Sequence, residues 1–334
     1  MDEATKQRLW GADHALDAPF VRGFLVALVA ILVLVPVVIW VMRVAGKSTP
    51  EHQGELWARY RSWLIFIPLM VGPILLGAAW TIAAVALMSL LCYREFARAT
   101  GMFRHPPISS LVVLGILAVT ASVADHWYGL FVAITPLQIG VIAAVAIGAD
   151  QPKGYIQRVA LGMFAFLLFG ICFGHLAYFA NDSNFRSMLI WLVLCVELND
   201  IFAYLVGKTL GKRKLAPNTS PNKTLAGAIG ALVLTTAVAA ALGALVFAGT
   251  PVAAPLRLIV LGLIVSVTGQ LGDLALSSIK RDLGIKDWAT TFPGHGGLLD
   301  RFNSLLFAAP AVFHYLGYIQ GVGLNQAPRI FTGS

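Results

Sequence analysis

Long apolar stretches follow one another along the chain, separated by short connections that carry most of its charge. A helix needs about 20 apolar residues to cross a hydrocarbon core of roughly 30 Å. Stretches of about that order run from Phe20 to Met42, Trp63 to Gly77, Ala79 to Leu91, Ile108 to Val123, Tyr128 to Gly148, Val159 to Phe179, Met188 to Val206, Thr224 to Phe247, Leu256 to Ile279 and Phe302 to Ile319. They recur over the whole chain, so neither a cleaved leader nor a single anchor explains them. Backbone in lipid must satisfy its own hydrogen bonds, and the alternating polarity of a membrane barrel is missing, so the runs are expected to be helices. The pattern predicts an all-α polytopic integral membrane protein with ten transmembrane helices, or nine if residues 63–91 form one helix bent at Pro73. Gly77 offers a break between the two.

Composition agrees: of 334 residues, 58% are hydrophobic and 12% charged, about half the charged share of a soluble domain. The 24 basic residues then set an orientation. With the N-terminus outside, the inward connections receive Arg43, Lys47, Arg59 and Arg61, then Arg94, Arg98 and Arg104, then Lys153 and Arg158, then the Lys208 to Lys223 loop, and finally Lys280, Arg281, Lys286 and Arg301. Both termini are therefore expected to face away from the cytoplasm. The net charge of +8 gathers on one face, suited to anionic lipid headgroups or nucleotide phosphates, and no nucleic-acid partner is expected. Cys92, Cys172 and Cys195 lie in apolar segments without metal-type spacing and read as small core residues.

Glu197, Asp200 and Asp273 interrupt otherwise apolar runs, and Asp300 opens the last one. A charge at the centre of a membrane helix costs about 2.5 to 3.5 kcal/mol on insertion scales, so each needs a partner, a metal or a polar cavity. Asp273, Ser277, Lys280 and Arg281 can share one helix face. A carboxylate and a hydroxyl below two cations suit a divalent ion holding a polyphosphate; equally, Asp273 could simply pair with Lys280 along the helix. Beyond lie Lys286, Asp287, the run Pro293-Gly294-His295-Gly296-Gly297, Asp300 and Arg301. Such glycines let backbone N–H groups approach an anion, or make a tight re-entry turn. The earlier connection, Gly207 to Thr224, interleaves five basic residues with Thr209, Thr219, Ser220 and Thr224, a phosphate-binding composition that also serves as a topology signal.

Together these loops resemble the phosphatidate cytidylyltransferase (CDP-diacylglycerol synthase) family. The stretch SSIKRDLGIKDWATTFPGHGGLLDRFN, Ser277 to Asn303, matches that family's signature at every fixed position except the last. GDLALS, Gly272 to Ser277, and LNDIFAYLVGKTLGKRKLAPNTSPNKT resemble its upstream segments, so the similarity covers the C-terminal half. Three positions depart: Ala226 before Gly227 and Leu276 before the motif serine stand where acidic residues are usual, and Asn303 replaces the final Asp.

The resemblance implies transfer of a cytidylyl group from CTP to phosphatidic acid or a related lipid phosphate, giving CDP-diacylglycerol and pyrophosphate in phospholipid biosynthesis. It implies a multi-pass enzyme of the cell (inner) membrane, active at the cytoplasmic face. Asp273, Asp300, Lys280 and Arg281 would be catalytic. Mg²⁺ would be held by Asp273 and Asp300 with Ser277 and Asp200 close by, and a monovalent companion such as K⁺ is compatible with Asn303. Ser220, Lys223, Thr224, His295, Arg301, Lys286 and Asp287 would contact substrate. The chain is expected to be one membrane domain, 1–334, with N-terminal helices 1–190 as scaffold and homodimer surface, and 191–320 as the catalytic helices and loops. Transfer to another lipid phosphate such as a polyisoprenoid or ether-lipid phosphate, an inactive homologue, and an ion-coupled transporter using Asp200 and Asp273 are the competing readings.

Overall fold

A computed structural model of the protein describes residues 1–46, 48–289 and 296–333. A short polar helix, α1 (Glu3–Trp10), precedes the first crossing, α2 (Pro19–Val44). Then follow α3 (Pro50–Leu76), α4 (Ala78–Thr100), α5 (Pro106–Ala124) and α6 (Tyr128–Ile147). The sixth crossing, Tyr155–Asn181, joins α7 (Tyr155–Ala165) to α8 (Phe173–Tyr178) through a π-helical stretch, Phe166–Cys172. The set is completed by α9 (Phe185–Leu210), α10 (Leu225–Val246), α11 (Pro255–Asp282) and α12 (Leu299–Gln320). Among the described residues, 10 helical stretches are long and apolar enough to cross a membrane, as the hydropathy pattern predicts.

Residues 63–91 form parts of two helices. Gly77, at φ +135° and ψ 174°, separates α3 from α4, a conformation that only glycine adopts without strain. Pro68 and Pro73 stay inside α3. An even number of crossings brings both termini to one face. Asp125, at the end of α5, ties the C-terminal segment there, accepting from the N–H groups of Phe331 (2.5 Å) and Thr332 (3.1 Å).

The last four helices pack in chain order, each on the next. Small residues permit this, because without a hydrophobic drive in lipid, helices associate through close van der Waals approach. A Cβ on Gly262 would lie 2.8 Å from Cα of Thr236 on α10, and one on Gly272 would lie 2.6 Å from the carbonyl oxygen of Asn303 on α12. Gly272 therefore brings α12 against α11 beside Asp273.

The connection after α9 is more ordered than a basic loop. It forms a hairpin of β1 (Lys214–Ala216) and β2 (Ser220–Thr224), with Lys214 opposite Thr224 and Ala216 opposite Ser220. The hairpin ends on Thr224, whose hydroxyl accepts from the N–H of Gly227 at 3.1 Å and caps α10.

Candidate active site

The intramembrane carboxylates gather at one end of the α9, α11 and α12 bundle, and Asp200, Asp273 and Asp300 each have a partner there. Ser304 on α12 donates to Oδ2 of Asp200 on α9 at 3.0 Å. Next, Asn303 donates through Nδ2 to Oδ1 of Asp273 on α11 at 2.5 Å, while the Lys223 ammonium, delivered by β2, pairs with Oδ2 of the same carboxylate. One turn toward the start of α12, Lys280 reaches Oδ1 of Asp300 at 2.6 Å. Asp273 thus pairs with Lys223 from the hairpin, and Lys280 pairs with Asp300 across the helix interface. That answers the alternative left open by spacing, in which Asp273 would pair with Lys280 along its own helix.

The cluster has depth. Asp273 lies nine residues before the end of α11, about 13 Å along its axis. Asp200, Asp273, Lys223 and Arg301 are close enough to feel one another's charge, and Glu197 on α9 adds to the acidic side. Behind them Asn199, fully buried, accepts from Ser266 (2.6 Å) and Thr235 (3.2 Å), fixing α9 against α11 and α10. Ser277 is buried one turn beyond Asp273 on α11.

Asp300 has a second role. Its Oδ2 accepts the backbone N–H groups of Trp288 (3.0 Å) and Gly297 (2.9 Å), which draws the loop after α11 onto the start of α12. The first N–H groups of a helix have no partner within it, and here Glu95 of α4 supplies one, taking Leu298 on Oε1 at 3.0 Å and Leu299 on Oε2 at 2.9 Å. Both carboxylates sit at the positive end of the helix dipole. The paired glycines fit this crowding. A Cβ on Gly296, which has φ +76°, would lie 2.8 Å from Oδ2 of Asp300, and one on Gly297 would lie 2.5 Å from Oε2 of Glu95.

Arg281 bridges the two loops, donating to the carbonyl oxygens of Thr219 (3.2 Å) in the hairpin and Ile285 (3.0 Å). Ser220 and Thr224 lie in the same hairpin. Lys286, Asp287 and Arg301 are exposed around the mouth, with Asp287 near Gly296. His295 lies outside the described residues. A mostly apolar cavity of about 340 Å³ opens on the far side of α12, between α3, α4 and α9, and Leu298, Phe302 and Leu305 form one wall.

Glu95, Asn199 and Ser304 were not identified from the sequence. Glu95 had a readable signal, an acidic residue at the end of an apolar run, but its partner lies 203 residues away. Asn199 and Ser304 are neutral neighbours of residues that did stand out.

The whole arrangement falls within residues 57–319, which match the cytidylyltransferase family. The chain belongs to that family. Among its relatives, the phosphatidate cytidylyltransferase of Staphylococcus haemolyticus is 34% identical over 253 residues, covering 74% of this chain and 92% of the relative. The phosphatidate cytidylyltransferase of Bacillus subtilis is 38% identical over 153 residues, 46% of this chain and 56% of its own length. Escherichia coli YnbB, described as an uncharacterized protein, is 31% identical over 280 residues, 80% of this chain and 90% of its own.

Whether this cytidylyltransferase-family site suits a divalent cation can be asked of its donors. Among the described residues no three His, Cys, Asp or Glu side chains gather into a cage. Mg²⁺ rarely needs one, since it keeps waters and binds through one or two carboxylates plus substrate phosphates. Asp273 and Asp200, with the hydroxyls of Ser304 and Ser277 nearby, form such a hard-oxygen set, while Asn303 turns its amide nitrogen to Asp273. Lys223 already shows that a cation fits against Asp273.

Proposed function

We propose that the protein transfers the cytidylyl group of CTP to the phosphate of phosphatidic acid, releasing pyrophosphate, at the cytoplasmic face of the cell membrane. The observation that carries this reading is the convergence of Asp200, Asp273, Lys223, Lys280 and Asp300, from three helices and a basic hairpin, at one end of the bundle. Clustering at one end also disfavours an ion-coupled transporter, whose coupling sites lie near the midplane between broken helices.

A phosphate oxygen of the lipid attacks the α-phosphorus of CTP, and the bond from that phosphorus to the bridging oxygen breaks, its electron pair leaving with pyrophosphate. The nucleophile is already anionic, so the protein must hold two anions in line and offset their repulsion. Arg281 and Arg301 line the mouth, and Lys223 and Lys280 bring positive charge inward. Ser220, Thr224 and Lys286 would surround the path of the nucleotide phosphates. Asp300, whose two oxygens are taken by Lys280 and by the N–H groups of Trp288 and Gly297, gives up to Asp200 the ligand place that the sequence suggests for it. Mg²⁺ held by Asp273 and Asp200, with Ser277 and Asp300 close by, would supply charge stabilisation to the transferring cytidylyl group. The apolar cavity beside α12 suits one acyl chain.

A direct test is CTP-dependent turnover of the purified protein against phosphatidic acid and other lipid phosphates, read by pyrophosphate release and product mass. Absence of a cytidylylated lipid with every acceptor would overturn the reading; a product from a different lipid phosphate alone would replace the acceptor.

The cytoplasmic placement has its own test. Cysteines introduced at Gly211 and Gly284 are expected to resist an impermeant label added from outside, while one at Thr250 reacts. Labelling of Gly211 and Gly284 from outside would invert the topology.

Asn303 tests the cation. In Asn303→Asp the hydrogen bond to Asp273 becomes a contact between two carboxylates, which repel unless a cation lies between them. The Mg²⁺ concentration for half-maximal rate is expected to fall about tenfold, the equivalent of about 1.4 kcal/mol, and thermal stability to drop without Mg²⁺ and recover with it. An unchanged Mg²⁺ requirement with a lowered unfolding temperature would place position 303 outside the metal site.

A further inference from the structure

A second cavity, of about 310 Å³ and bordered largely by polar residues, lies at the other end of α9, lined by α1, the connection from α1 to α2, the first turn of α9 and Gln326. Arg186 in that turn is fourteen residues from Asp200, about 21 Å along the helix. The cavity therefore opens on the membrane face opposite the aspartate cluster, and nothing in the cytidylyl-transfer reading uses it.

Two guanidinium groups line this cavity. Arg8 is only 5% exposed. Its Nη1 donates to the carbonyl oxygen of Ala180 at 3.0 Å and to Oδ1 of Asn181 at 2.7 Å, whereas its Nε and Nη2 meet no acceptor among the described residues. Those two donors form one edge of the guanidinium plane, the edge that grips two oxygens of a single oxyanion side by side. Arg186, within reach of the charges of Asp17 and Asp13, donates through Nη2 to the carbonyl oxygen of Gly11 at 2.6 Å, and its buried Nε meets no acceptor among the described residues.

The nearby carboxylates do not fill the gap. Asp182 accepts from the N–H groups of Asn184 (2.8 Å) and Gly323 (3.0 Å), and Asp17 is held by His14 at 2.7 Å. Burial acts most strongly on Arg8 and disfavours its charge, with Asp182 opposing at longer range. The third contribution is α9 itself. It starts at Phe185, whose N–H donates to the carbonyl oxygen of Asp182 at 3.3 Å; no side chain caps the N–H groups that follow, and Phe185, Arg186 and Ser187 all line the cavity. A helix N-terminus with free N–H groups attracts anions through both its donors and its dipole.

We propose that this cavity binds a phosphate-type oxyanion, held between the Arg8 and Arg186 guanidinium groups, whose unused donors turn to it, and the N-terminus of α9. The bound group fastens α1 and the C-terminal segment to the start of α9. The same chemistry is offered by the headgroup of an anionic lipid in that leaflet and by free phosphate.

The test uses the purified full-length protein in uncharged detergent, followed by thermal unfolding. One arm adds millimolar inorganic phosphate against chloride at equal ionic strength; the other adds dihexanoyl phosphatidylglycerol. A ligand that binds only the folded state raises the unfolding temperature. The wild type is expected to gain in at least one arm, and Lys6→Gln, a charge loss on the exposed side of α1, is expected to keep the gain. Arg186→Gln and Arg8→Gln are expected to weaken it about tenfold or more in apparent affinity, since each loses a hydrogen bond from a charged donor. A gain with phosphate alone identifies a soluble oxyanion, and a gain with lipid alone identifies a headgroup. No gain in either arm, or an equal gain in Arg186→Gln, overturns the proposal; the latter is also what phosphate bound at the aspartate cluster would produce. Should Arg8→Gln fail to fold, the half-buried Arg186 decides the matter.

Discussion

Asp273→Asn is expected to lower turnover by about 10²- to 10³-fold, the loss typical when a charge that stabilises a transition state is removed, while the protein still inserts and purifies with a somewhat lowered unfolding temperature. The reason lies in its two neighbours. Asn303 can still hydrogen-bond an amide at this position. Lys223 keeps 22% exposure over its side chain as a whole, but its Nζ is buried, so the lost carboxylate leaves that ammonium without its counter-charge and some stability goes with it. What disappears is a hard negative ligand at the deep end of the site. Initial rates over a Mg²⁺ titration, run beside thermal unfolding, check this, and a near-normal rate at limiting Mg²⁺ would remove Asp273 from the metal site.

Asp300→Asn should lose more stability along with its activity. The pair it forms with Lys280 is nearly closed to solvent, with side-chain exposures of 10% and 7%. Removing one member of such a pair leaves the other charge buried, at a cost of about 3 to 5 kcal/mol. Asn also accepts more weakly from the N–H groups of Trp288 and Gly297, which loosens the start of α12. The double variant Lys280→Met/Asp300→Asn should recover much of the stability, because an uncharged pair avoids desolvation, yet stay inactive. If Asp300→Asn alone melts like the wild type, the ion pair does not hold the loop as described.

The ten crossings were readable because lipid leaves a chain one economical solution, and long apolar runs declare it. Gly77 was readable as a break for the same local reason: its backbone conformation excludes other residues. The partner of Asp273 was not, since Lys280 and Lys223 are both plausible by spacing and only the register of the hairpin brings Lys223 to it. The hairpin itself, Lys214 to Thr224, is short, polar and proline-containing, and nothing in its hydropathy marks strands. Glu95 shows the deeper limit, for a carboxylate at a helix end reads as a solvated charge until the N–H groups it caps are seen. The cavity between α1 and α9 has the same character, because the significance of Arg8 depends on donors left over after folding.

The contact between Glu95 and the start of α12 has a consequence for biosynthesis. During translation α4 enters the membrane long before its partner exists. Leu298 is 203 residues further on, an interval of roughly 10 to 40 seconds at about 5 to 20 residues per second. Throughout that time Glu95 is a carboxylate at the membrane boundary awaiting a helix end, and Asp200 and Asp273 are likewise acidic groups without Asn303 and Ser304. The polar site therefore comes into being as the last event of insertion, when α12 docks. A chain truncated before Leu299 would leave its acidic residues exposed to lipid, so the nascent protein presents its cell with a quality-control signal that only completion removes.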